Sequence, residues 1–198
     1  MLNSILIAGC GALGNGLGQA IAKVQPKTKV YGLRRNIAAL APAVQGISAD
    51  LSQPSSLKDL PSVDALVYTA TPSERSESAY RAAYLAGLEN LLAAMPSLPS
   101  RFIYVSSTSV LADSAGAWVN EDTEAKPETA TAALLHEGEK LALANGALVL
   151  RFAGIYGPKR LWLLRAARQD SLRCHFDPPQ WTNRIHEYDC IGALQHLL

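Results

Sequence analysis

Close to its N-terminus the chain sets a short apolar run directly against glycines: Ser4–Ala8 reads SILIA and Gly9–Gly14 reads GCGALG. Leu13, Leu17, Ala20, Ile21 and Val24 follow at helical spacing. A strand, then G-x-G-x-x-G, then a helix leaves the backbone little choice. Gly9 permits the tight turn, Gly11 lets the backbone approach a ligand, and Gly14 lets the helix lie close on the strand. The amides of Ala12, Leu13 and Gly14 open that helix, and the positive end of its dipole stands behind them. This pattern predicts a site for the diphosphate of a dinucleotide. The plain alternative, a glycine-rich turn that binds nothing, requires neither the strand before it nor the helical pattern after it.

Strand-like and helix-like segments then alternate. Lys29–Leu33, Val44–Ser48, Ala65–Tyr68, Arg101–Val105 and Ala147–Arg151 read as further strands. A long helix is expected from about Ser76 to Met95, with Tyr80, Tyr84, Leu88, Leu91 and Leu92 on one face and Pro96 and Pro99 ending it. Another is expected over Thr129–Asn145, stopped by Asn145-Gly146. Such alternation implies a parallel sheet with helices on both faces. A chain of 198 residues without an interdomain linker suits one domain spanning 1–198.

The net charge of +1 is spread along the chain, which argues against a nucleic-acid stripe or a polybasic membrane segment. The apolar runs fall far short of a membrane span. No signal peptide is expected, since the fold begins near residue 4. Cys10, Cys174 and Cys190 are odd in number and unpaired in spacing, which fits a reducing cytoplasm. Arg173-Cys174-His175 with Asp177 offers metal donors but has no second cluster, so no metal site is expected.

The end of the second strand should lie near an adenosine ribose, roughly 20 residues past the glycines. An acidic residue there would favour NAD. Arg34 and Arg35 stand there instead, and guanidinium groups favour a 2′-phosphate. NADP is therefore the preferred cofactor, with NAD the alternative. Asp50 and Leu51, after the third strand, are placed to meet the adenine edge, although Asp50 could equally cap a turn.

Four further segments carry a resemblance. These are AGLENLLAAM (Ala86–Met95), YVSSTSV (Tyr104–Val110), LRFAGIYGP (Leu150–Pro158) and NRIHEYD (Asn183–Asp189). In this order the chain resembles the short-chain dehydrogenase/reductase superfamily, in its extended, NAD-dependent epimerase/dehydratase type. The resemblance covers nearly the whole chain. It implies a Rossmann-type doubly wound parallel sheet flanked by helices, a small-molecule substrate and a homodimer. Pairing would run through the helices Ser76–Met95 and Thr129–Asn145, the first carrying Ala79, Ala82, Ala83 and Ala86.

Members of that family use a tyrosine and, four residues later, a lysine on one helix face, together with a serine or threonine that orients the substrate oxygen. Ser107 best matches the hydroxyl position, with Thr108 as its neighbour. If Glu139 is the glutamate of that helix, the tyrosine position falls on Thr131 and the lysine position on Leu135; a register shifted by two gives Thr129 and Ala133. No tyrosine occurs between Tyr104 and Tyr156, so the pair is missing. His136, Lys140 and Tyr156 are conceivable replacements, each with a plain reading as a surface or packing residue. His186 is expected to support the start of the last helix. The resemblance is accordingly to atypical members that keep the glycine loop and lack most active-site groups.

The chain stops at Leu198, inside that last helix, so the C-terminal substrate-binding part is expected to be short or missing and the pocket open on one side. The carboxylates of the stretch from Asp113 to Glu128 read as a solvated loop. Only Arg168–Asn183, with Asp177-Pro178-Pro179 and Trp181, is left to line the pocket. Three readings follow: an oxidoreductase or epimerase with displaced catalytic groups, a silent NADP-binding sensor or regulator, and a structural subunit that keeps the fold.

Overall fold

The computed structural model describes residues 2–112, 116–158, 160–173, 177 and 181–198. Among them, six parallel strands form one sheet in the order β3-β2-β1-β4-β5-β6. They are β1 (Ser4–Ala8), β2 (Lys29–Arg34), β3 (Gln45–Ser48), β4 (Ala65–Tyr68), β5 (Arg101–Ser107) and β6 (Leu148–Phe152). The helices are α1 (Ala12–Val24), α2 (Glu77–Arg81), α3 (Gly87–Ala94), α4 (Ala130–Ala144), α5 (Trp162–Arg168) and α6 (Glu187–Leu197). A small parallel pair, β7 (Gly154–Tyr156) and β8 (Arg184–His186), stands apart from the main sheet.

Strand alternation divides the core into two layers. Leu6 and Ala8 of β1 join Leu66, Tyr68, Leu88, Leu91 and Leu135 on the face covered by α3 and α4. Ile5 and Ile7 join Leu17, Ile21, Val67, Cys190 and Leu194 on the face covered by α1 and α6. Each fully buried leucine or isoleucine contributes about 1.5–3 kcal/mol. Both faces are apolar, as a doubly wound parallel sheet requires.

Element boundaries move for identifiable reasons. Strand β5 runs on to Ser107 because its pairing with β6 continues to Phe152. Strand β6 starts one residue later than expected because the Ala147 amide donates to Ala142 O and the Gly146 amide to Leu143 O, closing α4. Gly146, at φ +79°, supplies the left-handed residue that this C-terminal motif needs.

The long helix expected over Ser76–Met95 is interrupted by a π turn at Ala82–Ala86. The buried Tyr68 hydroxyl donates to Ala83 O at 2.6 Å, and the Gly87 amide bonds to Ala82 O instead. A side chain inserted into the helical ladder shifts it by one residue. The last helix starts at Glu187, where His186 accepts from the Tyr188 amide at 3.2 Å. That is the supporting role expected of His186.

Helix α4 is tied to the sheet by a fully buried carboxylate, Glu139. Ser106 Oγ donates to its Oε1 at 2.6 Å, Arg151 Nε to Oε1 at 2.8 Å, and Arg151 Nη2 to Oε2 at 2.8 Å. His136 Nδ1 lies 3.0 Å from Oε2. Burial pushes the carboxyl up, but the bonds from Arg151, Ser106 and His136 and the guanidinium charge together hold it below its usual 4.5. A carboxylate held down in the folded state stabilises it above the unfolded value and ceases to do so as pH falls through the folded one. Glu139→Gln should therefore cost about 2–3 kcal/mol at neutral pH, since Arg151 keeps its solvent contact but loses its charged acceptor. Urea unfolding of wild type and variant at about pH 7 and about pH 3 should show that gap narrowing. An equal gap at both would mean that the charge of Glu139 contributes nothing.

Candidate functional site

The sheet order reverses between β1 and β4, because the connection from β1 runs to β2 and that from β4 to β5. Ligand sites of open α/β sheets lie at the carboxyl ends of strands at such a point. Two adjoining cavities, of about 450 and 410 Å³, open there and share Gly9, Gly11, Ala70 and Thr71.

The glycine loop forms the shared floor. Gly9 has φ +74°, and a Cβ on it would run into the backbone of Ala70 at the end of β4. A Cβ on Gly14 would stand 2.7 Å from Ile7 Cγ2, so α1 lies directly on β1. At Gly11 the situation is opposite: a Cβ would meet no protein atom closer than Gly9 O at 3.7 Å. The empty volume there opens on the groove. Helix α1 starts at Ala12 with no side-chain cap and no acidic residue in its first turn. The first amides of a helix have no partner within it, so those of Ala12 and Leu13 are available to an anion. Between the glycines, burial pushes the Cys10 thiol up to about 11, which keeps it protonated.

The first cavity extends from this floor to the ends of β2 and β3. Leu33, Arg34, Arg35, Asn36, Asp50, Leu51 and Ser52 line it. Arg34 lies back along the loop, with Nη1 donating to Cys10 O at 3.2 Å. Asp50 accepts from the Ser52 amide at 2.9 Å and from Ser52 Oγ at 2.8 Å, and these bonds hold its carboxyl below the usual range. Asp50 thus caps a turn and also borders the cavity. Ala79, Ala82 and Ala83 form the opposite wall, so these small side chains give room to the cavity.

The second cavity extends towards β5, α4 and β7. Ser107 lines it, with Oγ accepting from the Ser109 amide at 3.2 Å; Thr108 lines neither cavity. Leu135 of α4 faces it with an apolar side chain. Thr131 does not border it and sits 3.2 Å, Oγ1 to Oγ1, from Thr129. His136, Lys140 and Tyr156 do not border it either. His136 is bound to Glu139, Lys140 is exposed, and Tyr156 packs edge-on against His186 at 5.1 Å.

Arg75, Tyr80, Tyr84 and Arg160, which the sequence did not single out for the site, are among the residues that line this cavity. The two tyrosines meet edge to face at 5.5 Å, and burial pushes the Tyr84 phenol up to about 12. Their helical spacing with Leu88 suggested core packing. Tyr84 does pack against the core, and both tyrosines also reach the cavity.

Cys174, His175, Pro178 and Pro179 lie outside the described residues, as does Asp113. Among the described residues, none from 168 to 183 borders either cavity, and no group of three or more His, Cys, Asp or Glu could hold a metal ion.

Residues 5–175 match the model of the NAD dependent epimerase/dehydratase family. A comparison with curated proteins finds no significant match. Among solved structures, the chain is similar to a candidate NAD-dependent epimerase/dehydratase from Methylobacillus flagellatus. Identity is 32%, the TM-score is 0.82, and the match covers 100% of this chain and 70% of that one. It is similar to UDP-glucuronic acid 4-epimerase from Bacillus cereus in complex with UDP-glucuronic acid and NAD, at 23% identity and TM-score 0.77, covering 96% and 72%. The Bordetella bronchiseptica enzyme WbmH in complex with NAD+ matches at 16% identity and TM-score 0.75, covering 98% and 71%. With the Rossmann sheet, the glycine loop at its switch point and a family match over most of its length, the chain belongs to the NAD dependent epimerase/dehydratase family.

Proposed function

We propose that the chain binds a nicotinamide dinucleotide along the groove and acts as an oxidoreductase or epimerase with a degenerate active site. The observation that carries this reading is the glycine loop, where the open Cβ position of Gly11 and the uncapped start of α1 face the switch-point groove. Gly9, Gly11, Ala12, Leu13 and Gly14 would hold the diphosphate. Arg34, Arg35, Asp50 and Leu51 would surround the adenosine.

NADP is the preferred cofactor. Two guanidinium groups stand at the end of β2, and the nearby carboxylate of Asp50 is already committed to Ser52. The Bacillus cereus and Bordetella bronchiseptica neighbours are complexes with NAD, which makes NAD the alternative. NADP should bind wild type more tightly than NAD. Arg34→Ala should weaken NADP by about 1.5–3 kcal/mol and NAD by much less. Calorimetry decides it, and an unchanged NADP affinity would remove the arginine from the site.

A bound nicotinamide would accept or deliver hydride. Ser107 is placed to orient a substrate oxygen beside it, with Thr108 the less favoured neighbour because it lines neither cavity. No described lysine lines the second cavity, and Leu135, at the position where the resemblance implies the lysine, faces it. Positioned acid–base groups contribute about 10²–10⁴-fold in rate. Turnover with nucleotide sugars and small carbonyl compounds should therefore be very weak, and Thr131→Tyr with Leu135→Lys should raise it. Fast wild-type turnover that survives Ser107→Ala would reassign the chemistry. The second reading, a silent NADP-binding sensor or regulatory module, is favoured by that same leucine.

We also infer a homodimer through the helical stretches Ser76–Met95 and Thr129–Asn145, where Leu85 and Leu141 remain partly exposed. Light scattering at micromolar concentration should give twice the chain mass; a monomer mass would refute the pairing. Cys10 and Cys190 are free and buried, which fits a reducing compartment, and we place the protein in the cytoplasm on that basis. No described helix is long and apolar enough to cross a membrane.

A further inference from the structure

Among the described residues, the lining of the second cavity contains two arginines and no aspartate, glutamate, lysine or histidine. Arg75 reaches it from the loop between β4 and α2, and Arg160 from the turn after β7. Of the two groove cavities they line only this one, beyond the shared glycine floor. Neither forms an ion pair with a described carboxylate. The chain as a whole carries a net charge of only +1, yet among the described residues the two cavities gather Arg34, Arg35, Arg75 and Arg160 against one carboxylate, that of Asp50. Low-dielectric walls lined by one sign of charge concentrate the field inside a cleft.

The neutral groups beside these arginines are donors as well. The Tyr84 phenol, protonated at neutral pH even before burial pushes it up to about 12, can give a hydrogen bond but cannot present a competing negative charge. Tyr80 and Ser107 add hydroxyls. Two unpaired guanidinium groups with phenolic donors suit the planar or tetrahedral oxygens of a carboxylate or phosphate.

We propose that the second cavity binds an acidic small molecule, through a carboxylate or phosphate held by Arg75 and Arg160, beside the dinucleotide. This rests on the dinucleotide reading of the same groove. The diphosphate of the dinucleotide itself has the same chemistry, and the test separates the two.

Calorimetry on protein saturated with NADP would use 3-phosphoglycerate and UDP-glucuronic acid as probes, with glycerol and uridine as their uncharged counterparts. The acidic probes should bind and the uncharged ones should not. Arg75→Ala and Arg160→Ala should each weaken the acidic probes about tenfold to a hundredfold and leave NADP affinity unchanged. Arg75→Lys should restore part of the loss. The proposal is overturned if acidic and uncharged probes behave alike, or if the alanine variants weaken NADP and spare the probes. The second result would assign both arginines to the cofactor. If wild type binds no dinucleotide, the cofactor reading fails by itself. The same probes on the bare protein then decide the anion site: binding lost in Arg75→Ala upholds it, and no binding overturns it.

Discussion

The groove exists because parallel strands cannot be joined by short turns. Each crossover must leave the sheet, pass over a face and return, and with right-handed connections the direction of travel along the sheet selects the face. The path from β1 goes one way, over α1 to β2, and the path from β4 goes the other, through α2 and α3 to β5. Between β1 and β4 the two paths part, and the carboxyl ends of both strands are left uncovered. Gly9 turns there against the backbone of Ala70, and α1 begins there with uncapped amides. The polar ends of β2 and β5 flank the same gap.

Features set by local chemistry were legible in the sequence. Ser4–Ala8 and Ala65–Tyr68 stand in the structure with the boundaries that their apolar runs imply. The glycine loop and the Asn145-Gly146 stop also behave as their residues require, since each depends on backbone conformation within a few positions. What escaped was set by partners distant in sequence. The π turn at Ala82–Ala86 depends on the hydroxyl of Tyr68, which belongs to a strand that helical periodicity does not see. The membership of Arg75, Tyr80, Tyr84 and Arg160 in the site depends on how high each sits along the sheet. A repeat of apolar spacing carries no information about height.

Ser106 and Ser107 show the same limit within two residues. Successive side chains of a strand point to opposite faces. Ser106 is in phase with Tyr104 and turns towards α4, where it binds Glu139; Ser107 is in phase with Val105 and keeps a less committed hydroxyl. The sequence shows two equivalent serines. Both border the second cavity, but the sheet commits the Ser106 hydroxyl to a buried carboxylate and leaves that of Ser107 to the Ser109 amide. Glu139 then acts on the site from behind, because Ser106, Arg151 and His136 draw β5, β6 and α4 together on one buried charge. That arrangement holds in place the strand that carries Ser107 and the helix that carries Leu135.

Leu135 changes the electrostatics of the groove as well as its chemistry. A lysine at that position would put a cation on the wall of the second cavity, where it could lower the pKa of a neighbouring hydroxyl. With leucine there, the positive charges of the groove come from elsewhere: Arg34 at the end of β2, Arg35 just after it, Arg75 before α2, and Arg160 after β7. The cavity wall formed by α4 is apolar, and the cations stand on other elements. Such a distribution favours a ligand with charged groups at its extremities over one that develops charge at its centre during reaction. Transition-state stabilisation requires charge placed where it develops, whereas ground-state binding is served equally well from the ends. On the proposed reading, an aliphatic side chain where the resemblance implies an ammonium group would separate binding from catalysis within a single groove. The recognition half of the family design would then persist on this scaffold without the acid–base half.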